Sequence, residues 1–376
     1  MHTIPMNCLL TGGGGIVGSH IIFEWIHKAI VKKTVNHLFL IIRDNEKSAA
    51  QRLLAILQDP SRPEFLNKFT LEECLEKITV ISSNLSEINE KILEAYNFDT
   101  VIHCAGSTSL LHTSESKEKV HTENYLITKH LLTELPKAVT RFIYISTAYS
   151  FGIQNEKVDD TIERYNVTDF RNPYEQSKYE SELYVKETCT LKNIDSQILR
   201  PSIICGRLID KPFYETPKFD VFYSLAMFLD KYANKAKENF RVWVDQKSGL
   251  NIVPVDFVSK AILYAFLNPE IKELNIVNPE QILHKNYVDD YLQYFNIHSF
   301  EYVDKKPENQ NAFEQLYYKT IGSIFEKYVS IPDLQFKPDL ILKLIVTLKL
   351  QNNLGVHENF MKLIKFSVEK KFKKSY

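Results

Sequence analysis

Met6-Asn7-Cys8-Leu9-Leu10-Thr11-Gly12-Gly13-Gly14-Gly15-Ile16-Val17-Gly18 reads as an apolar strand running directly into a glycine turn and then a helix. Gly12, Gly15 and Gly18 follow a G-x-x-G-x-x-G spacing, one residue longer in the loop than G-x-G-x-x-G. The first glycine permits the sharp turn out of the strand. Gly15 removes the Cβ that would block a pyrophosphate, and Gly18 lets the helix approach the sheet. Thr11, Ile16 and Val17 flank these positions, and the helix start offers backbone N–H groups to phosphate oxygens. A glycine run alone is often no more than a turn. Its place between a strand and an amphipathic helix is what points to a dinucleotide.

Outward from this loop, short apolar runs recur at residues 37–43, 78–82, 100–104, 141–147 and 195–200. Each has strand length, is rich in Ile, Val, Leu and Phe, and shows little alternation, as strands buried on both faces do. Helix-period stretches separate them, at 16–32, 117–135 and 174–191. The alternation predicts an α/β fold, a doubly wound parallel Rossmann sheet, over residues 1–206. Residues 207–376 read as a smaller, mainly helical substrate domain, with sheet elements returning at about 241–280. There, 241–253 looks strand-like, 256–267 helical with Asp256 as its N-cap, and 274–277 like one more strand. The last hundred residues read as helices at 285–295, 312–329, 338–351 and 357–374.

The end of the second strand decides which ribose is bound. An acidic residue there would accept from a 2′-hydroxyl, whereas Arg43 matches a 2′-phosphate by charge and geometry. NADP(H) is therefore favoured, with NAD(H) the alternative, because Asp44 follows at once and a one-residue slip would reverse the reading. Arg52 on the next helix is a second candidate phosphate contact, or simply part of a solvated face.

The fifth strand ends Tyr144-Ile145-Ser146-Thr147-Ala148-Tyr149, and Tyr174 and Lys178 follow, four residues apart and so on one helical face. A phenol is a poor acid–base catalyst near neutrality. A neighbouring ammonium and an oxidised nicotinamide would both favour its phenolate. Thr147 supplies a hydroxyl to the reacting carbonyl oxygen. Y-x-x-x-K is common by chance and gains weight only from the glycine loop upstream. The sixth strand ends Leu199-Arg200-Pro201-Ser202-Ile203-Ile204-Cys205-Gly206.

On Thr11–Gly18, Val101-Ile102-His103-Cys104-Ala105-Gly106, Asn124, Thr147, Tyr174/Lys178 and Leu199–Gly206, the chain resembles the extended short-chain dehydrogenase/reductases. The resemblance spans roughly residues 6–280. It implies a Thr147–Tyr174–Lys178 triad, with Asn124 supporting a water in a proton relay. It also puts Ala105 and Gly106 at the cofactor and has Pro201 and Ile204 line the nicotinamide end. Within that group the chain looks most like the thioester-reductase and fatty acyl reductase branch. The residues are Ile41-Ile42-Arg43, Ala49-Ala50-Gln51-Arg52-Leu53, Ser146–Tyr149, Tyr179-Glu180-Ser181-Glu182 and Asn251–Val258. The implied activity is NADPH-dependent reduction of a carrier- or CoA-bound acyl thioester to aldehyde or alcohol. The alternative is a reductase or epimerase of a ketone, sterol or nucleotide sugar. A 4,6-dehydratase is disfavoured, since Ala148-Tyr149 stand where an Asp-Glu pair would follow the threonine. Asn84-Leu85 replaces the Asp-Leu of many relatives near the adenine; an amide can still hydrogen-bond the base.

With 376 residues, 44% hydrophobic, and a net charge of −1, the chain has ample core and no general electrostatic pull toward nucleic acid. Its five cysteines are odd in number and include no C-x-x-C, and its eleven histidines include no H-x-x-x-H. A disulfide framework and a protein metal centre are therefore not expected. The start lacks a signal-peptide pattern and no apolar run is long enough to span a bilayer, so a cytoplasmic location is expected. Residues 357–376 interleave six lysines with apolar positions. Such a helix can contact an anionic membrane or an acidic acyl or peptidyl carrier protein. A packed terminal helix with a solvated lysine face is the favoured reading.

Overall fold

The computed structural model describes residues 6–351 and 354–375. Seven strands form one all-parallel sheet: β1 (Met6–Thr11), β2 (Val35–Ile42), β3 (Ile78–Ser82), β4 (Thr100–His103), β5 (Arg141–Ile145), β6 (Asp195–Pro201) and β7 (Glu273–Ile276). Their order across the sheet is β3-β2-β1-β4-β5-β6-β7, reversing direction between β1 and β4. That reversal leaves a crevice at the carboxyl ends of β1 and β4, the place where doubly wound sheets bind ligands. The strands carry fully buried residues such as Leu9, Leu10, Leu38, Leu40, Val101, Ile102, Phe142 and Ile143. Burial on both faces accounts for their unalternating sequence.

Four local expectations are revised. The 117–135 stretch is helical from Ser114 to Thr133, but its middle, His121–Leu126, is a π-helical turn. Asp256 does not cap its helix, which spans Val255–Leu267 with Pro254 before it. Instead its buried carboxylate accepts from the backbone N–H of Ile209 and Asp210, both at 2.8 Å, and faces Arg207 at 3.9 Å. The 241–253 stretch is broken into Phe240–Trp243, Gly249–Leu250 and Ile252–Pro254. Finally, 312–329 divides at Thr320 into helices Ala312–Lys319 and Ile321–Val329. Gly322 lies against Tyr317, where an added Cβ would meet the Tyr317 carbonyl at 3.0 Å.

The last helix, Val356–Glu369, buries Phe360, Leu363 and Ile364 in the main core, against Phe222 and Tyr291. Among the described residues no helix is long and apolar enough to cross a membrane. The start of the chain, read above for a signal pattern, lies partly outside the described residues.

Candidate active site

The glycine loop forms a cradle at the crevice. Gly12 has φ +74°, and a Cβ there would meet the Ala105 nitrogen at 2.5 Å. A Cβ on Gly18 would collide with the Gly12 carbonyl, so helix Ile16–His27 can sit this close only with glycine at that position. In front of Gly15 the space is open: its Cβ would touch only the Gly12 carbonyl, at 3.4 Å. The helix N-terminus leaves its first backbone N–H groups without intrahelical partners. Close packing behind the loop and open space in front of it suit a pyrophosphate. The Thr11 side chain is used internally instead, bonded to His103 Nδ1 at 2.7 Å, while Val17 is buried in the core.

Beyond β2, Arg43 is exposed, and Arg52 Nη1 donates to the Arg43 carbonyl at 2.7 Å. The second Arg52 amino group faces Gly14, 3.4 Å from where a Cβ would stand. Asp44 is occupied: its two oxygens accept from Ala49 N and Ser82 Oγ, both at 2.6 Å. The Ser82 bond and then the Ala49 amide hold its carboxyl below the ordinary value. Asn84 is exposed, and Leu85 is half-buried against the core cluster that contains Phe39.

Helix Pro173–Leu191 carries Tyr174 and Lys178. It starts cleanly because Asn172 caps it, accepting from Glu175 N at 3.1 Å, and Pro173 occupies its first turn. Thr147 lies just past β5, in extended backbone, and its hydroxyl pulls on the Tyr174 phenol. Burial pushes that phenol above its ordinary value, and Lys178 and Thr147 pull it back. Lys178 is buried, donates to the Ile145 carbonyl at 2.7 Å and stands 4.2 Å from the Tyr144 ring centre. Burial lowers its pKa, opposed by Tyr174.

Asn124 sits in the π-helical turn, fully buried. Its amide donates to Ser107 O at 3.1 Å and Ser177 Oγ at 2.8 Å, and its oxygen accepts from Ser107 N at 2.7 Å. Asn124 thus ties the segment after β4 to the helix of Tyr174. A Cβ on Gly106 would meet the Asn124 oxygen at 2.6 Å, so a larger residue there would have to displace the amide that makes these bonds.

Tyr174 and Thr147 face a cavity of about 380 Å³, as do Ile16 and Ile204. Leu110, Leu225, Ile321, Ile324 and Phe325 make much of its wall. Among the described residues that line it, only Lys218 and Asp220 carry charge, and they pair with each other. Pro201, the last residue of β6, is buried and is not among the lining residues.

Sequence reading missed a buried polar cluster beside this cavity. Arg171 faces Glu175 at 3.7 Å and Asp333 at 3.5 Å, while Tyr328 donates to Glu175 at 2.6 Å and Tyr149 to Asp333 at 3.3 Å. The Arg-Asn-Pro run before the helix signals a helix start. No local signal links it to Asp333, far along the chain.

Similarities to known proteins agree with this geometry. The chain is 27% identical over 184 residues to UDP-glucose 4-epimerase of Haemophilus influenzae, an overlap of 49% of this chain and about half, 48%, of that enzyme. In fold it is similar to a thiolation-reductase di-domain from an archaeal non-ribosomal peptide synthetase, with TM-score 0.69, 20% identity, and 98% and 76% of the two chains covered. It is likewise similar to the terminal R domain of the myxalamid PKS-NRPS pathway, with TM-score 0.68, 17% identity, and 100% and 93% covered. The family model for the male sterility protein matches residues 10–262. The chain therefore belongs to the male sterility protein family of NAD-binding domains, within the extended short-chain dehydrogenase/reductase superfamily.

Proposed function

We propose that the protein reduces an acyl thioester, bound to CoA or a carrier protein, at the expense of NADPH. The apolar cavity against Tyr174 and Thr147 carries this reading. An acyl chain suits walls of Leu, Ile and Phe. A nucleotide sugar would bring a diphosphate to a site whose only charges among the described lining residues already neutralise each other. Likeness to reductase domains joined to thiolation domains supports the carrier in the same direction.

Reduced nicotinamide, when bound, supplies a hydride. Gly12, Gly15 and Gly18 would hold its pyrophosphate, and Arg43 and Arg52 the 2′-phosphate, with Asp44 already satisfied by its own neighbours. Thr147 and Tyr174 hold the thioester oxygen as negative charge develops on it, and Tyr174 gives that oxygen its proton. Lys178 stabilises the phenolate left behind, from a position fixed by the Ile145 carbonyl. Asn124 fixes the Tyr174 helix through Ser177.

The test is NADPH oxidation across acyl-CoAs, carrier-bound acyl groups and ketones, with wild type and Tyr174→Phe. Thioester-dependent oxidation that falls by about 10²-fold or more in the variant, at unchanged cofactor affinity, is expected. The likeness to UDP-glucose 4-epimerase motivates a second reading, epimerisation of a nucleotide sugar. An epimerase would interconvert sugars with no net oxidation of cofactor, and that outcome would replace the thioester reading.

A further inference from the structure

The buried cluster holds, among the described residues, two carboxylates against one guanidinium. Arg171, Glu175 and Asp333 are all but completely buried. Arg171 Nη2 and Asp333 Oδ1 lie 3.5 Å apart, yet neither atom makes a hydrogen bond. One guanidinium cannot neutralise two carboxylates in a dry interior, so the cluster tends to keep a proton. Two tyrosines connect it to the cavity. Tyr149 and Tyr328 both line the cavity, with ring centres 5.6 Å apart, and each hydroxyl donates to one of the carboxylates.

Tyr149 shares the cavity with Tyr174 and Thr147, and its phenol also interacts with the Ser202 hydroxyl, which lines the same space. Tyr328 is committed elsewhere, because it also accepts from the capping Asn172 at 2.5 Å. Reduction of a thioester has two places where an acid can assist. The carbonyl oxygen takes a proton as hydride arrives at carbon, and the sulfur takes one when the carbon–sulfur bond breaks. Tyr174 meets the first need. Resting on the thioester reading, we infer that Tyr149 protonates the departing sulfur and that Asp333 acts through it as a proton-relaying, positioning residue.

The step balances. In the hemithioacetal the carbon–sulfur bond breaks with its electron pair going to sulfur, and the oxygen lone pair re-forms the carbonyl. The hydroxyl proton returns to the Tyr174 phenolate. Sulfur takes the Tyr149 proton, Tyr149 takes one from Asp333, and Asp333 is recharged from solvent. The sum is one thioester, one hydride from the reduced nicotinamide and one proton, giving aldehyde and thiol.

The groups facing Asp333 are Arg171 and Glu175 from the start of the Tyr174 helix, Tyr149 from the turn after β5, Gln281 at 3.3 Å, and Tyr287 from helix His284–Tyr294. Burial raises the Asp333 carboxyl to about 7, with Arg171 opposing. Its neutral, proton-bearing form therefore prevails below that pH and is lost above it. Burial also keeps the Tyr149 phenol protonated, so it passes a proton on rather than ionising.

The experiment compares an alkyl thioester with a nitrothiophenyl thioester of the same acyl group, in wild type, Tyr149→Phe and Asp333→Asn. Nitrothiophenolate leaves readily without protonation; the more basic alkyl thiolate gains far more from it. Asp333→Asn leaves Arg171 and Glu175 as a balanced pair, and NADPH binding followed by fluorescence reports that each variant is folded. The alkyl rate should fall by about 10²-fold in both variants while the aryl rate stays near wild type. The fall in the wild-type alkyl rate as pH rises through about 7 should vanish in Asp333→Asn. Equal losses on both esters with binding retained would mark the cluster as structural and overturn the inference, as would no loss on either. A wild type inactive on both esters would overturn the thioester reading itself, and this inference with it.

Discussion

Replacing Arg52 with glutamine tests the proposed preference for NADPH over NADH. Arg52 is fixed by one hydrogen bond from Nη1 to the Arg43 carbonyl at 2.7 Å, which turns its other amino group toward the glycine loop at Gly14. A 2′-phosphate in the space beyond β2 would meet that free edge. Hydrogen bonds to charged groups contribute about 1.5–3 kcal/mol, and the half-exposed setting argues for the lower end. About 1.5 kcal/mol corresponds to roughly a tenfold change in affinity. Glutamine keeps a donor for the Arg43 carbonyl, so the loop itself should be little disturbed. Titrating each reduced cofactor by fluorescence should show NADPH weakened about tenfold and NADH by less than about twofold. The NADPH deficit should shrink with salt, since the lost term is a screened charge interaction. Equal weakening of both cofactors would show that Arg52 supports the loop and not the phosphate, and the assignment would fail. Arg43→Gln should act in the same direction. The double variant should fall short of additivity, because both side chains would meet the same phosphate.

Arg200 is fully buried and its Nε contacts both Glu182 oxygens at 3.0 Å, tying the Tyr174 helix to β6. Arg200→Met should cost about 3–5 kcal/mol in urea unfolding, and Arg200→Met with Glu182→Leu much less; equal costs would contradict the pairing argument. Truncating the C-terminal helix would open the core at Phe360, Leu363 and Ile364, so carrier docking is better tested by charge. Lys371, Lys373 and Lys374 are exposed, and the neighbouring Ser375 bonds to Pro217, one residue before the cavity-lining Lys218. Changing all three lysines to glutamate should raise KM for a carrier-bound acyl group and leave a short neutral thioester unaffected. An unchanged KM for the carrier-bound substrate would remove this surface from consideration.

What could be read directly from the chain was local. The turn from β1 into its helix is written in four consecutive glycines, and Tyr174 and Lys178 share a face because four residues make about one helical turn. Most ends of strands and helices drifted by a residue or two, but the helices read at 338–351 and 357–374 stop early, at Thr347 and Glu369, since tertiary contacts decide such ends. The π-helical turn at Asn124 was not legible. Its hydrogen-bond pattern is set by what Asn124 grips on two other segments, not by any breaker in the sequence. Nor was the division at Thr320, where no proline interrupts the helical pattern and the packing of Gly322 on Tyr317 shows only in three dimensions. The Arg171–Asp333 pair joins the start of the Tyr174 helix to the last quarter of the chain, a contact only the fold can bring together. The same holds for the cavity wall contributed by helix Ile321–Val329.

That division at Thr320 separates two kinds of selection. Helix Ala312–Lys319 is anchored through buried Glu314, which accepts from Arg241 Nε at 2.9 Å; it adds Tyr317 to the cavity wall but otherwise answers to the stability of the whole. Helix Ile321–Val329 turns Ile321, Ile324 and Phe325 toward the substrate space and answers to whatever molecule must fit there. Because a break lies between them, substitutions in the second segment can alter the range of substrates without disturbing the anchorage of the first. A lineage carrying this architecture can change its diet through a handful of codons in one short helix while its chemical apparatus is inherited intact.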